Sequence, residues 1–214
     1  MKLLSLRTAV TGAVCIALGA CANNPPDTYI LGRPLGTEES VETYSDQPVI
    51  EVAPVLVPEY LDATDMLVRY PGNLVTPVSD ARWGERLSVG ATRALSLNLA
   101  RHVPGVIITT TAPAKPVDGQ ILVEFEAFEA RSEGVVVLVA RWRLLEGRSG
   151  DILAGERVTL REPYSLSEDA ATEGAEVASA MTRAIDRLAD RIAPRLRRSV
   201  TRLRAARDED DGLM

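Results

Sequence analysis

Apolar positions change their period several times along the chain, and each change marks an element. Thr8 to Leu18 is an almost unbroken apolar run of about 11 residues, far below the roughly 20 needed to span a bilayer as a helix. Ala22 to Thr28 is polar and carries Pro25-Pro26. Tyr29-Ile30-Leu31 then predicts a short strand, and Gly32 to Gln47, rich in Gly, Pro, Glu and Ser, predicts a loop. Pro48 to Val57 is dense in β-branched residues and predicts a strand bounded by Pro58. Met66 to Tyr70 predicts another, Pro71-Gly72-Asn73 a turn, and Leu74 to Val78 a return strand. From there the period lengthens to four. Trp83, Leu87, Ala91, Leu95, Leu99 and Val103 share one stripe, which predicts a helix capped by Asp80 and stopped after His102 by Pro104-Gly105. Val106 to Thr111 predicts a further strand.

Gln120 to Arg161 returns to a period of two. Val123, Phe125 and Ala127 alternate with Glu124 and Glu126; Leu138, Ala140, Trp142 and Leu144 alternate with Arg141 and Arg143. A two-residue turn at Glu133-Gly134 would pair Phe125 with Trp142, Val123 with Leu144, Glu124 with Arg143 and Glu126 with Arg141. Asp151 to Arg161 adds a third strand. Val177, Met181, Ala184, Ile185, Leu188 and Ile192 then make the stripe of a last helix, capped by Ser165 or Ser167 and ended or kinked by Pro194. The expected fold class is α+β, a mainly antiparallel sheet with two long helices packed on one face. The expected organisation is a signal segment over 1–20, a tether over 21–28, one domain over 29–198 and a disordered charged tail over 199–214.

Charge narrows the function classes. The chain has 24 basic and 30 acidic residues and a net charge of −6; removing Lys2 and Arg7 with the first 20 residues takes it to −8. That balance disfavours nucleic acid and anionic lipid as general partners. Lys2 and Arg7 also precede the apolar run, and Leu18-Gly19-Ala20-Cys21 closes it. This resembles the lipobox of a bacterial lipoprotein, in which cleavage before the cysteine is followed by diacylglycerol attachment and fatty acylation, palmitate included. The expected lipid-attachment residue is therefore Cys21. An ordinary secretory signal cut after Ala20 or Ala22 is the alternative. Ala22 lacks the aspartate that commonly signals inner-membrane retention, so the resemblance favours the periplasmic face of the outer membrane. Cys15 and Cys21 are the chain's two cysteines, so cleavage would leave no internal disulfide.

Catalytic equipment is sparse. His102 is the single histidine, and its place at a helix end favours an ordinary charged or polar role. Gly147-Arg148-Ser149-Gly150 lacks nucleophile-elbow spacing, no His/Cys cluster suggests a metal, and Gly32-Arg33-Pro34-Leu35-Gly36-Thr37 lacks a phosphate-loop lysine. Glu124 and Glu126 fit a charge ladder with Arg141 and Arg143. Arg183, Arg187, Arg191 and Arg195 line one helix face and suggest either a docking face or a solvated one balanced by Asp186, Asp190 and the acidic tail. No enzyme activity, cofactor or metal is expected.

The segment Val49-Ile50-Glu51-Val52-Ala53-Pro54-Val55-Leu56-Val57-Pro58-Glu59-Tyr60-Leu61-Asp62, followed by Met66 to Tyr70 and by Arg82-Trp83-Gly84-Glu85-Arg86-Leu87, resembles the ABC-type transport auxiliary lipoproteins, the family of the paraquat-inducible lipoprotein C. The resemblance runs from Tyr29 to Ile192. Two positions depart from the family pattern: Ala63-Thr64 stand where a basic residue and proline are common, and Gly-Glu-Arg follows Arg82-Trp83 where Ala-Glu-Pro is common. The resemblance implies a non-enzymatic subunit beside an ABC transporter and a mammalian-cell-entry-type periplasmic protein, moving lipids between membranes. It implies Tyr60, Arg82 and Trp83 as partner-contact residues and is compatible with a homo-oligomer. The same composition also suits an assembly lipoprotein of a polysaccharide-export or secretion machine.

Overall fold

The computed structural model describes residues 25–34, 47–111, 116–167 and 169–211. Eight strands form one sheet: β1 (Asp27–Tyr29), β2 (Val49–Val52), β3 (Asp65–Arg69), β4 (Val75–Trp83), β5 (Ile107–Thr109), β6 (Gly119–Arg131), β7 (Val135–Glu146) and β8 (Ile152–Pro163). Two α-helices, α1 (Leu87–His102) and α2 (Ala170–Asp211), pack with it into an α+β fold.

The long meander β6–β7–β8 is antiparallel and forms the backbone of the sheet. The other edge of β6 is shared. Its last residues pair in parallel with β3, its first with β2, and Leu56 bridges to Glu124 between them. β4 and β1 extend the β3 end, while β5 extends the β2 end. The sheet is therefore mixed, with parallel pairs flanking an antiparallel core.

One face of this sheet is apolar. Leu138, Ala140, Trp142 and Leu144 of β7 are buried, while Arg141 and Arg143 between them are exposed. Both helices join the same buried cluster. Ala91, Leu95 and Leu99 come from α1, and Val177, Met181, Ala184, Ile185, Leu188 and Ile192 from α2, all as the helical spacing predicts.

Four local expectations need correction. Asp80 does not cap α1. It lies inside β4 with φ 52°, a left-handed geometry that Asp tolerates, and the strand runs on to Trp83 to pair with β1. Trp83 is buried from the strand, so its spacing to Leu87 imitated a helical turn. Nor do Ser165 and Ser167 cap α2; Asp169 Oδ2 accepts the Thr172 N–H at 2.9 Å.

The hairpin register also differs. Arg131 pairs with Val135 across a three-residue loop whose Gly134 has φ 76°, and Glu124 pairs with Arg141 rather than Arg143. An irregularity between Phe125 and Ala127 resets the alternation, so Phe128 and Ala130 are buried instead of Ala127. Finally, α2 continues past Pro194 through the expected tail to Asp211. Leu196 and Leu203 carry its apolar stripe onward and are buried, which offsets the hydrogen bond that proline removes.

Candidate functional site

The Pro-x-Tyr-Leu-Asp segment forms a short 3-10 turn, Glu59–Leu61, between β2 and β3. Its three distinctive side chains go different ways. The Tyr60 hydroxyl donates to Glu129 Oε1. Arg69 Nε donates to Glu129 Oε2 at 2.8 Å, its Nη2 donates to Glu129 Oε1 at 2.7 Å and to the Tyr60 oxygen at 3.0 Å, and its guanidinium sits 5.5 Å from the centre of the Tyr60 ring. Glu129 is only 5% exposed. Burial alone would raise its pKa, but the hydrogen bonds from Arg69 and Tyr60 outweigh that and hold it below its ordinary value. Burial and the bond to Glu129 push the Tyr60 hydroxyl up.

Leu61 is buried. Asp62 reaches the start of α1: its Oδ1 accepts the Ser88 N–H at 2.9 Å, and Arg86 pairs with its Oδ2. An aspartate from a distant loop thus caps the helix that Asp80 was expected to cap. Thr92, one turn further along α1, accepts the Val55 N–H at 2.8 Å and ties the preceding segment to the same helix.

Arg82 and Trp83 lie side by side at the end of β4 but face different surroundings. Arg82 Nε donates to Thr28 Oγ1 at 3.3 Å, while Trp83 is 4% exposed and its backbone N–H donates to the Thr64 carbonyl at 2.7 Å. Trp83 therefore packs the core. Tyr60 keeps 45% exposure, so its ring edge remains accessible even though its hydroxyl is engaged.

A larger concavity lies on the solvent face of the sheet. It is an open groove of about 400 Å³ lined by Ala53, Pro54, Leu56, Leu122, Glu124, Arg141 and Arg143. Leu56 is 65% exposed and anchored only by its backbone, its N–H bonding to Val123 O and its carbonyl accepting from Phe125. The groove combines apolar side chains with Arg141, Arg143 and the carboxylate of Glu124, a chemistry suited to an extended segment carrying both apolar and polar groups. Sequence reading missed it because the irregularity in β6 moves Arg141 opposite Glu124. The available signal was Leu56 itself, an apolar residue just after Pro54 in a strand that proline interrupts.

The remaining candidates are paired within the fold. His102 lies 3.1 Å from Asp190 and its Nδ1 meets the Asn98 carbonyl at 2.7 Å. Glu126 binds Arg141 at 2.9 Å and Arg157 at 2.6 Å, while Glu124 lies 3.7 Å from Arg141. The arginine line of α2 is balanced mainly by strand β8: Arg183 and Arg187 meet Glu162, and Arg191 meets Glu156. Asp186 instead pairs with Arg33 at 2.8 Å. Further along, Arg197 donates to the His102 carbonyl at 2.9 Å and Arg204 to that of Gly105 at 3.2 Å, satisfying carbonyls at the end of α1. Among the described residues no helix is long and apolar enough to cross a membrane. Cys21 lies outside the described residues.

A crystal structure of an uncharacterized protein superposes with a TM-score of 0.65 at 17% identity, covering 81% of this chain and 99% of that one. A second, from Xanthomonas campestris and assigned to the DUF330 family, has a TM-score of 0.58 at 16% identity, covering 82% and 96%. At these identities the likeness concerns the fold. A search of curated protein sequences returns no match. The family model described as "ABC-type transport auxiliary lipoprotein component" matches residues 29–193, from β1 through most of α2. The chain belongs to the ABC-type transport auxiliary lipoprotein components.

Proposed function

We propose that this protein is the outer-membrane lipoprotein subunit of an ABC and mammalian-cell-entry-type lipid transport system. Cys21 carries the lipid, and the α+β body docks or stabilises the periplasmic conduit between membranes. The observation that carries this reading is the family match over residues 29–193, beginning eight residues after a cysteine set at the end of an apolar leader. Two or three acyl chains on one cysteine give a stable anchor, where a single myristoyl-length chain is marginal. Ala22 supports the outer membrane as the destination.

The body's part is positional. The Tyr60–Arg69–Glu129 cluster ties the segment between β2 and β3 to the sheet, and the Asp62 cap ties it to α1. That leaves the solvent face of the sheet, with its Leu56 groove, to meet the conduit. Complementation tests the reading. Cells lacking the gene should show altered lipid distribution between inner and outer membranes. The wild-type chain should restore it and Cys21→Ser should not. An unchanged distribution in the deletion strain would contradict the proposal.

A further inference from the structure

The register of the sheet fixes where β1 starts relative to the two ends of the domain. Three connections cluster at one end. The β3–β4 turn holds Tyr70 to Leu74, closed by the Tyr70 N–H on the Leu74 carbonyl at 2.8 Å. The β6–β7 turn holds Ser132 to Gly134, and the Ser132 N–H bonds to Arg69 O at 3.0 Å. The segment after β8 crosses the same turn: Tyr164 N–H bonds to Gly134 O at 2.9 Å, and Leu166 borders Gly134. At these tips Tyr70 is 41% exposed, Leu74 59% and Leu166 60%.

β1 points its N-terminus toward this end. It runs parallel to β4, which starts at the tips and leads away from them. Thr28 is level with Arg82, Arg82 with Asp65, and Asp65 is four residues from Arg69 at the tips, about 13 Å along the strands. Counting from the Val68–Ala130 pair, Asp65 is level with Ala127, and the far end at Gly119 lies about 26 Å the other way. Cys21 is six residues before Asp27, so its Cα lies within about 20 Å of that strand start whatever path the chain takes. An anchor at Cys21 therefore reaches the tips comfortably and falls short of the far end.

We infer that Tyr70, Leu74 and Leu166 form a membrane-contacting end that seats in the headgroup region beside the lipid on Cys21. Of the charges at this end, Arg69 is paired with Glu129 and Arg131 lies beside it at 4.0 Å, while Glu133 in the β6–β7 turn is exposed. The three side chains that make the contact are apolar or aromatic, with a tyrosine suited to the membrane–water boundary. The stable acyl anchor and the weaker contact of the tips then act together and hold the body at a fixed tilt.

The inference rests on lipid attachment at Cys21, and the test separates the two. Full-length protein purified from membranes is reconstituted into phosphatidylethanolamine and phosphatidylglycerol vesicles with brominated acyl chains, which quench nearby tryptophan. Leu74→Trp is compared with Ile152→Trp, a 62% exposed control at the far end beside the β7–β8 turn, and with wild type, whose Trp83 and Trp142 are buried. Circular dichroism checks that both variants fold. Strong quenching in Leu74→Trp with none beyond wild type in Ile152→Trp is expected. Fatty-acid-labelled protein with equal quenching at both positions, or at neither, overturns this inference alone. So does a Leu74→Trp signal that responds to protein concentration and ignores brominated lipid, which would make this end an interface between copies. Absence of fatty-acid label on wild type removes the anchor, and this inference falls with it.

Discussion

Tyr60 and Asp62 show why a short motif can be functional in appearance and structural in its chemistry. Tyr60 and Arg69 neutralise Glu129, a carboxylate almost removed from water. Replacing Arg69 by Met leaves that charge without its main partner and should cost about 3 kcal/mol, read from urea denaturation at pH 7. Glu129 also gives the cluster a pH signature. Its folded pKa lies below the ordinary 4.5, so the unfolded chain binds more protons as pH drops. The stabilisation is complete above pH 4.5 and fades as pH falls through the folded value. The stability difference between wild type and Glu129→Gln should accordingly be largest near neutrality and shrink in acid. Asp62→Ala removes the cap on α1 and should lower stability by about 1 kcal/mol in the same assay.

The two helices meet the sheet through close contacts as much as through apolar stripes. A Cβ added at Gly174 of α2 would lie 2.6 Å from the Ala81 Cβ and 3.1 Å from Tyr29 Cε2. Alanine gains about 1 kcal/mol of helix propensity over glycine, but overpacking costs about 1–3 kcal/mol. Gly174→Ala should therefore destabilise, and a lowered melting temperature checks it. The helical stripes, the three-stranded meander and the Pro71-Gly72-Asn73 turn were legible because each is a local period or a local turn chemistry. What was not legible depends on distant partners. Asp62 caps α1 from another loop, Leu196 and Leu203 carry α2 past a proline, and β1, β2 and β5 join by parallel pairing that no local pattern specifies. The hairpin register failed for a nearer reason: a three-residue loop and one irregularity in β6 shift the charge ladder and reset the alternation of β6 after Phe125. The groove at Leu56 was hidden by the same shift.

Taken together, the fold leaves a protein with one covered face and one open face. The strand register sets Thr28 about 13 Å from the level of the β3–β4 and β6–β7 tips, and the helices cover one side of the sheet. The face that remains carries the groove between Leu56 and Arg141. Fatty-acid labelling should mark the wild-type chain and spare Cys21→Ser, and density fractionation should place the labelled protein with the outer membrane. Leu56→Glu keeps the core intact, since Leu56 is exposed, and should weaken partner capture several-fold if the groove is used. The most direct test is affinity isolation of the full-length protein from crosslinked, detergent-solubilised membranes, followed by mass spectrometry of what accompanies it. A mammalian-cell-entry-type protein or ABC transporter subunit enriched with wild type over an unrelated lipoprotein is the predicted result. Isolation of labelled, membrane-bound protein with no such component would contradict the account.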